Sequence, residues 1–170
     1  MKVTTNQFFN AKVAELTNPL YRFAFWKTGS KEVSEEIVQD TFLKLWEKGN
    51  DIKAYKNLNA FAFKIIRNLC IDHHRKVKLF TTDIEGKVQN QINSNTPETE
   101  LELKEKINNV DRAIKQLPEN QQMVFFLRNI EACSIREISE KLDMKPNTVE
   151  VTLSRARKNL RRILNQYELR

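Results

Sequence analysis

Two short helical patterns separated by a tight polar turn dominate residues 134–164 of this 170-residue chain. Ser134 and Asn147 are each followed three residues later by a glutamate, and this spacing is a common start of a helix. Apolar residues recur every three or four positions after each start, which predicts two amphipathic helices. Because the turn spans only Asp143 to Pro146, we expect the two helices to pack against each other at an angle.

The second of these helices has a large excess of positive charge. Its basic residues are Arg155, Arg157, Lys158, Arg161 and Arg162. A surface helix usually alternates its charges, so an unbalanced positive face favours contact with phosphate. In a DNA-reading helix the N-terminal side chains contact base edges, and the later cations contact the backbone. The pattern predicts a DNA-binding helix-turn-helix; a solvated basic face on an ordinary helical hairpin is the alternative.

Charge elsewhere in the chain supports a polyanionic partner. The formal net charge is +7. Residues 1–80 hold 14 Lys/Arg against 8 Asp/Glu, residues 81–107 hold 3 against 6, and residues 108–170 hold 12 against 8. Positive charge at both ends favours nucleic acid, since binding releases the counterions of the phosphates.

Composition limits the architecture and the compartment. Three glycines and four prolines in a chain that is 40% apolar indicate a mostly helical protein of one or two small domains. No apolar run is long enough for a membrane span, and no leader pattern precedes the first helix. With only two cysteines, we expect a cytoplasmic protein without direct membrane insertion.

Cys70, His73 and His74 form the nearest approach to a metal-binding motif. Adjacent histidines on a helix point about 100° apart, and no fourth ligand is near in sequence. We therefore predict a small core residue at Cys70, and neither a metal nor a cofactor.

Three helices are predicted in a first domain at residues 1–80. They run from Gln7 to Trp26, from Glu32 to Lys48 and from Leu58 to Lys78, and the first is expected to break or bend near Pro19 and to close at Gly29.

A second helical domain is predicted at residues 98–170. Residues 81–97 are rich in Thr, Asn, Gln and Ser, and a segment this polar predicts a flexible linker. A helix capped by Thr96 is expected to run to about Gln116, another to start at Glu119, and the helix-turn-helix to follow. The fold class is therefore all-α, with two small helical domains joined by a linker.

The residues then carry a resemblance to a known family. The run AIKQLPENQQMVFFLRNIEACSIREISEKLDMKPNTVEVTLSRARKNLRRIL is similar to region 4 of bacterial sigma factors. VQDTFLKLWEK resembles the polymerase-clamp helix of region 2, and NAFAFKIIRNLCIDHHRK resembles its promoter-melting helix. With these two regions and a short linker, the chain resembles the extracytoplasmic-function (ECF) group.

The resemblance implies a function and a set of partners. It implies an alternative sigma factor, not an enzyme, that binds core RNA polymerase through the β′ clamp and the β flap, directs it to promoter DNA and helps to melt the duplex. The resemblance also implies an anti-sigma factor as a candidate partner.

The resemblance also implies three groups of site residues. The expected polymerase-binding residues are Asp40, Phe42, Leu43, Lys44 and Trp46, with Leu45 also in the matched helix. The expected minus-ten residues are Phe61, Lys64, Arg67, Asn68, Arg75 and Lys76, with Asn68 cradling a flipped base. The expected minus-thirty-five residues are Asn147, Thr148, Glu150, Thr152, Ser154, Arg155, Arg157 and Lys158.

Two positions depart from the family pattern or allow two interpretations. Phe61 stands where tryptophan is usual, and Phe61 and Phe63 could stack on unpaired bases, although packing in a three-helix core is the favoured interpretation. Glu150 stands where many relatives have a basic or polar residue; it could accept from cytosine or cap the helix.

Two other protein classes are alternatives to this interpretation. A two-component or quorum-type DNA-binding regulator would need a receiver or ligand domain, and the first domain has neither strand–helix alternation nor a glycine-rich pocket. An enzyme acting on nucleic acid would need clustered catalytic groups, for which Asp72 beside His73 is the sole candidate.

Overall fold

The structure, a computed structural model, describes residues 5–48, 57–82 and 98–168. Over these ranges it contains helices and connecting turns and no β-strand, so the all-α prediction is confirmed. The helices are α1 (Thr5–Thr28), α2 (Lys31–Trp46), α3 (Leu58–Thr82), α4 (Glu98–Lys115), α5 (Glu119–Asn129), α6 (Ile135–Leu142) and α7 (Pro146–Glu168).

The chain divides into two compact units. The first comprises Met1–Ile84 with Arg136–Met144, and the second comprises Glu85–Ile135 with Lys145–Arg170. In the first unit α1, α2 and α3 pack on one another, and in the second α7 packs on α4 and α5. The expected domain boundaries at residues 80 and 98 stay predictions.

The core of the first unit is formed by one apolar stripe from each of three helices. It contains Leu16, Leu20 and Phe23 from α1, Ile37, Val38 and Leu45 from α2, and Leu58, Phe63, Ile66 and Cys70 from α3. Thr41 is also buried, and its hydroxyl donates to the carbonyl of Ile37 at 2.8 Å. The burial of Cys70 confirms its assignment as a core residue.

The connection between α1 and α2 depends on two residues. Gly29 has a positive φ of 68° and donates its N–H to the carbonyl of Phe25 at 2.8 Å, a helix end that glycine adopts without strain. Ser30 then caps α2 by accepting from the N–H of Val33 at 3.3 Å. The predicted end at Gly29 is confirmed.

Of the predicted break or bend at Pro19, the break is wrong and the bend stays a prediction. α1 is continuous from Thr5 to Thr28 and contains Pro19. Proline removes one helical hydrogen bond, but Leu16 and Leu20 on either side of it are buried. The packing of this apolar stripe offsets the lost bond.

Linker and helix-start predictions near the middle of the chain have mixed outcomes. Thr81 and Thr82 belong to α3, so the helix enters the predicted linker by two residues. The rest of the linker, residues 83–97, and the cap expected at Thr96 lie outside the described residues.

The second unit has its own core, in which the buried side-chain amide of Gln122 caps the C-terminal end of α4. Apolar side chains of α4, α5 and α7 fill the interior, and Gln122 among them donates to the carbonyls of Lys115 and Leu117 at 3.1 and 2.7 Å. These carbonyls lie at and just beyond the end of α4, where helix hydrogen bonds run out. Asn159 donates to Gln121 at 2.9 Å and so joins α7 to α5.

The turn before α7 follows a standard helix-ending pattern. Asp143 has a positive φ of 52°, and Met144 donates its N–H to the carbonyl of Ser139 at 3.0 Å, as in a Schellman motif. Ser134 precedes α6 as expected, but α7 begins at Pro146. The predicted cap at Asn147 is therefore wrong: proline favours the first helical position, which leaves Asn147 inside the first turn.

Candidate polymerase and nucleic-acid interfaces

One face of α7 presents nearly all the residues predicted to contact the minus-thirty-five duplex. Val149, Leu153, Ala156 and Ile163 form the buried stripe of this helix. Thr152 is half-buried, and its hydroxyl donates to the carbonyl of Thr148 at 2.7 Å. The other predicted residues are exposed: Asn147, Thr148, Glu150, Ser154, Arg155, Arg157 and Lys158.

A basic groove of about 610 Å³ lies along one side of α7. Arg128, at the end of α5, points into it and donates from Nη1 to the carbonyl of Cys133 at 2.9 Å. This bond holds the guanidinium while its other donors stay available. Four cations and one carboxylate line the groove, so its net charge is positive and suits an anionic partner. The lining residues are Arg128, Ile135, Glu150, Leu153, Ser154, Arg157, Lys158 and Arg161.

The C-terminal half of α2 exposes two large apolar side chains. Leu43 is 56% exposed and Trp46 is 48% exposed, and the indole of Trp46 packs edge-on against Phe9 with ring centroids 4.9 Å apart. Asp40 and Lys44 are exposed beside them. Leu45 is buried beneath this surface, whereas Phe42 is half-buried and so partly exposed at it.

The predicted minus-ten residues lie along α3 with different exposures. Lys64, Asn68, Arg75 and Lys76 are exposed, whereas Phe61 and Arg67 are half-buried. Lys64, Asn68 and Arg75 are four and seven residues apart and therefore share one helix face. Phe63 is buried, which confirms packing as its role.

A second groove, of about 430 Å³, lies within the first unit and is lined by predicted site residues of both α2 and α3. Asp40 and Lys44 line it from α2, and Arg75 and Lys76 line it from α3. This groove is lined by as many acidic as basic side chains, three of each, whereas the groove beside α7 is mostly basic. Its apolar lining includes Leu79, which is exposed.

Neither a metal cluster nor a membrane span is present among the described residues. No three His, Cys, Asp or Glu side chains there lie close enough to hold a metal ion. His74 instead donates from Nε2 to the carbonyl of Lys27 at 3.0 Å. No described helix is long and apolar enough to cross a bilayer.

Two family matches agree with this arrangement. Residues 13–79 match sigma-70 region 2, and residues 107–160 match sigma-70 region 4. The chain belongs to the sigma-70 family. It is an ECF sigma factor, an alternative sigma factor that directs RNA polymerase to promoters, and its family consists of transcription regulators rather than enzymes.

Two RNA polymerase sigma factors of Bacillus subtilis are similar to this chain. The ECF RNA polymerase sigma factor SigM of Bacillus subtilis is 25% identical, covering 88% of this chain and 90% of SigM. YlaC of the same organism is 28% identical, covering 87% and 84%.

Solved structures have the same fold. RpoE of Bartonella quintana, in complex with the anti-sigma factor NepR, aligns with a TM-score of 0.57 at 22% identity, covering 94% of this chain and 98% of that chain. CnrH, in complex with the cytosolic domain of CnrY, aligns with a TM-score of 0.59 at 22% identity, covering 95% and 90%.

Two side chains at the surface around α7 were not predicted from the sequence. Val151 is exposed on the same face of α7 as the predicted base contacts. In the sequence, Val151 is recognisable as an apolar residue that is out of phase with the buried stripe of α7. Arg128 lies in another helix, and only the fold brings it beside α7.

Proposed function

We propose that this sigma factor binds the β′ clamp of core RNA polymerase through Asp40, Phe42, Leu43, Lys44 and Trp46. Exposed apolar side chains with an aromatic anchor are typical of protein contact hot spots. Leu43 and Trp46 supply that apolar surface, and Asp40 and Lys44 supply charges of both signs at its border. A basic residue of the clamp facing Asp40 would fix the orientation of docking.

α3 then captures the opened minus-ten strand. Asn68 is exposed, and its amide can donate to and accept from the edge of a flipped base at once. Arg67, Arg75 and Lys76, together with Lys64 one turn before Asn68, contact the strand backbone. Phe61, which is half-buried, has part of its ring available for stacking.

α7 reads the minus-thirty-five duplex, and the basic groove beside it is the observation that carries this proposal. Exposed polar side chains occupy the first turns of α7, where a recognition helix meets base edges. Arg157, Lys158 and Arg161 follow, and Arg128 joins them from α5. Four cations at one groove fit the phosphates of a duplex backbone.

Promoter specificity can come from two small surfaces because one chain contacts both polymerase and DNA. Once the first unit is bound to polymerase, binding of the second becomes intramolecular and gains effective concentration. The β flap is the polymerase partner that we expect for the second unit. The chain makes and breaks no bond in this scheme, and it acts in the cytoplasm where polymerase and promoter DNA are.

An anti-sigma factor is a further partner that we propose. RpoE was solved with the anti-sigma factor NepR, and CnrH was solved with the cytosolic domain of CnrY. The exposed apolar surface of α2 and the basic face of α7 are suitable targets, because covering them blocks polymerase and DNA together.

Run-off transcription tests the proposal. Core polymerase, the purified chain and a genomic promoter library should give discrete starts that share upstream motifs and need the chain. Asp40→Asn and Asn68→Ala should each reduce these transcripts. Glu35→Gln is the control, since Glu35 is an exposed carboxylate of α2 that does not share the helix face of Asp40 and pairs only loosely with Lys31 at 3.9 Å. Inactive polymerase with duplex DNA still bound by the chain would contradict the proposal and favour a free-standing regulator.

A further inference from the structure

Val151 is an apolar side chain on a polar surface. It is 41% exposed and is the one large apolar residue exposed in the part of α7 whose side chains the structure describes. Valine in an exposed helix position is less favourable than alanine because its χ1 angle is restricted. Neither burial nor helix stability therefore accounts for valine at this position.

The position of Val151 on the helix sets the direction of its side chain. It lies four residues after Asn147, four before Arg155 and three before Ser154, and residues at these spacings share a face. All three of these polar neighbours are exposed. Val149 and Leu153, two residues to either side, are buried, so Val151 points away from the core of the second unit.

We propose that Val151 reads a thymine of the minus-thirty-five element through the 5-methyl group of that base. In the major groove each base pair presents hydrogen-bonding groups, and thymine adds a methyl group that apolar side chains contact. Valine has no polar atom beyond the backbone, so a methyl group is the feature of a base edge that it can recognise. The inference rests on the proposed role of α7 and adds one base to its target.

The structure also supports a rigid contact. The methyl groups of valine sit on Cβ, close to the helix, and few rotamers are open to them. Val151 lies within the first two turns of α7, the part of a recognition helix that enters the groove. The contact therefore needs little side-chain ordering.

Deoxyuridine substitution provides a direct test, because deoxyuridine pairs like thymidine but lacks the methyl group. The full chain with core polymerase would first select its minus-thirty-five element from a random library. Each thymine of that element would then be replaced singly by deoxyuridine. At one position we expect binding to weaken about fourfold, as for one buried methyl group. Val151→Ala, which lacks the two γ-methyl groups, should show a smaller difference between the two duplexes.

A matched valine controls for general effects of truncation. Val110 of α4 is 40% exposed, and Val110→Ala should keep the full sensitivity to deoxyuridine. Val151→Ala replaces an exposed residue by a better helix former, so the fold should persist.

Three results would overturn the inference alone: an element without thymine, full tolerance of deoxyuridine at every position, or unchanged sensitivity in Val151→Ala. Failure to select any element would instead reject the proposed role of α7 and the inference with it, so the two failures are distinguishable.

Discussion

The exposed surfaces of α2 and α7 differ in chemistry although both belong to one small chain. α2 presents Leu43 and Trp46 with one charge of each sign nearby. α7 presents a row of cations and polar side chains in which Val151 is the exposed large apolar residue among those described. The first surface suits a protein partner that excludes water, and the second suits a polyanion.

The difference predicts different responses to salt. Contacts formed by apolar burial depend weakly on ionic strength, whereas contacts with phosphates weaken steeply as salt rises. In this sigma factor, polymerase binding should therefore survive salt concentrations that release the minus-thirty-five duplex. Variants of each surface can test whether α2 serves polymerase binding alone and α7 serves DNA binding alone.

Trp46→Ala should have the largest effect. An aromatic anchor at a protein interface contributes at least about 2 kcal/mol, which is about thirtyfold in affinity. Core polymerase should be bound that much more weakly, with duplex binding by the chain unchanged. Fluorescence anisotropy with labelled chain would measure both affinities.

Phe25→Ala is the matched control for Trp46→Ala. Phe25 is 46% exposed on α1 and stacks on Tyr21, so its truncation removes a similar exposed ring from the same unit. Equal loss of polymerase affinity in the two variants would show that Trp46 is not a specific anchor.

Arg155→Ala tests the other surface. If Arg155 contacts a base edge, removing it should cost about 1–3 kcal/mol of minus-thirty-five binding and relax the preference for one base pair. Arg155→Lys keeps the charge but loses the bidentate geometry. It should therefore lose the base preference, with a smaller loss of affinity than Arg155→Ala. A promoter footprint of Arg155→Ala identical to that of the original chain would reject base contact.

The sequence alone indicates which side chains of these two helices are buried, whereas their binding roles stay predictions. Helical periodicity assigns each side chain to the core or to solvent, and α2 and α7 are regular over their whole length. The burial of Leu45 follows from its spacing, eight and four residues after Ile37 and Thr41. Gly29 was equally predictable, since glycine tolerates the positive φ that ends α1.

The errors arose where two local preferences competed. Asn147 is a good cap, but Pro146 just before it favours the first helical position and prevailed. Pro19 disfavours helix, but the packing of Leu16 and Leu20 prevailed. Arg128 was missed because its approach to α7 depends on the packing of α5, which no local pattern encodes.

Asn68→Ala should have a smaller effect than the two surface anchors. It removes one side-chain contact with an unpaired base, which is about 1 kcal/mol or fivefold. Binding of holoenzyme to a single-stranded minus-ten oligonucleotide would measure it, and an abasic site at the flipped position should weaken the original chain equally. Asn10→Ala, a change at an exposed asparagine of α1, is the control. Additive losses from Asn68→Ala and the abasic site would contradict direct contact.

Arg128→Met should have the smallest effect and the most specific signature. Loss of one phosphate contact makes the fall of log affinity with log salt less steep by about 1. It also weakens duplex binding about threefold, whatever the DNA sequence. The change also removes the bond to the Cys133 carbonyl, so a second variant is needed. Arg128→Lys loses much of that geometry but keeps the charge, and its salt slope should match the original chain. If both variants lower affinity with unchanged slopes, Arg128 acts by holding the loop before α6, and the phosphate-binding surface is confined to α7.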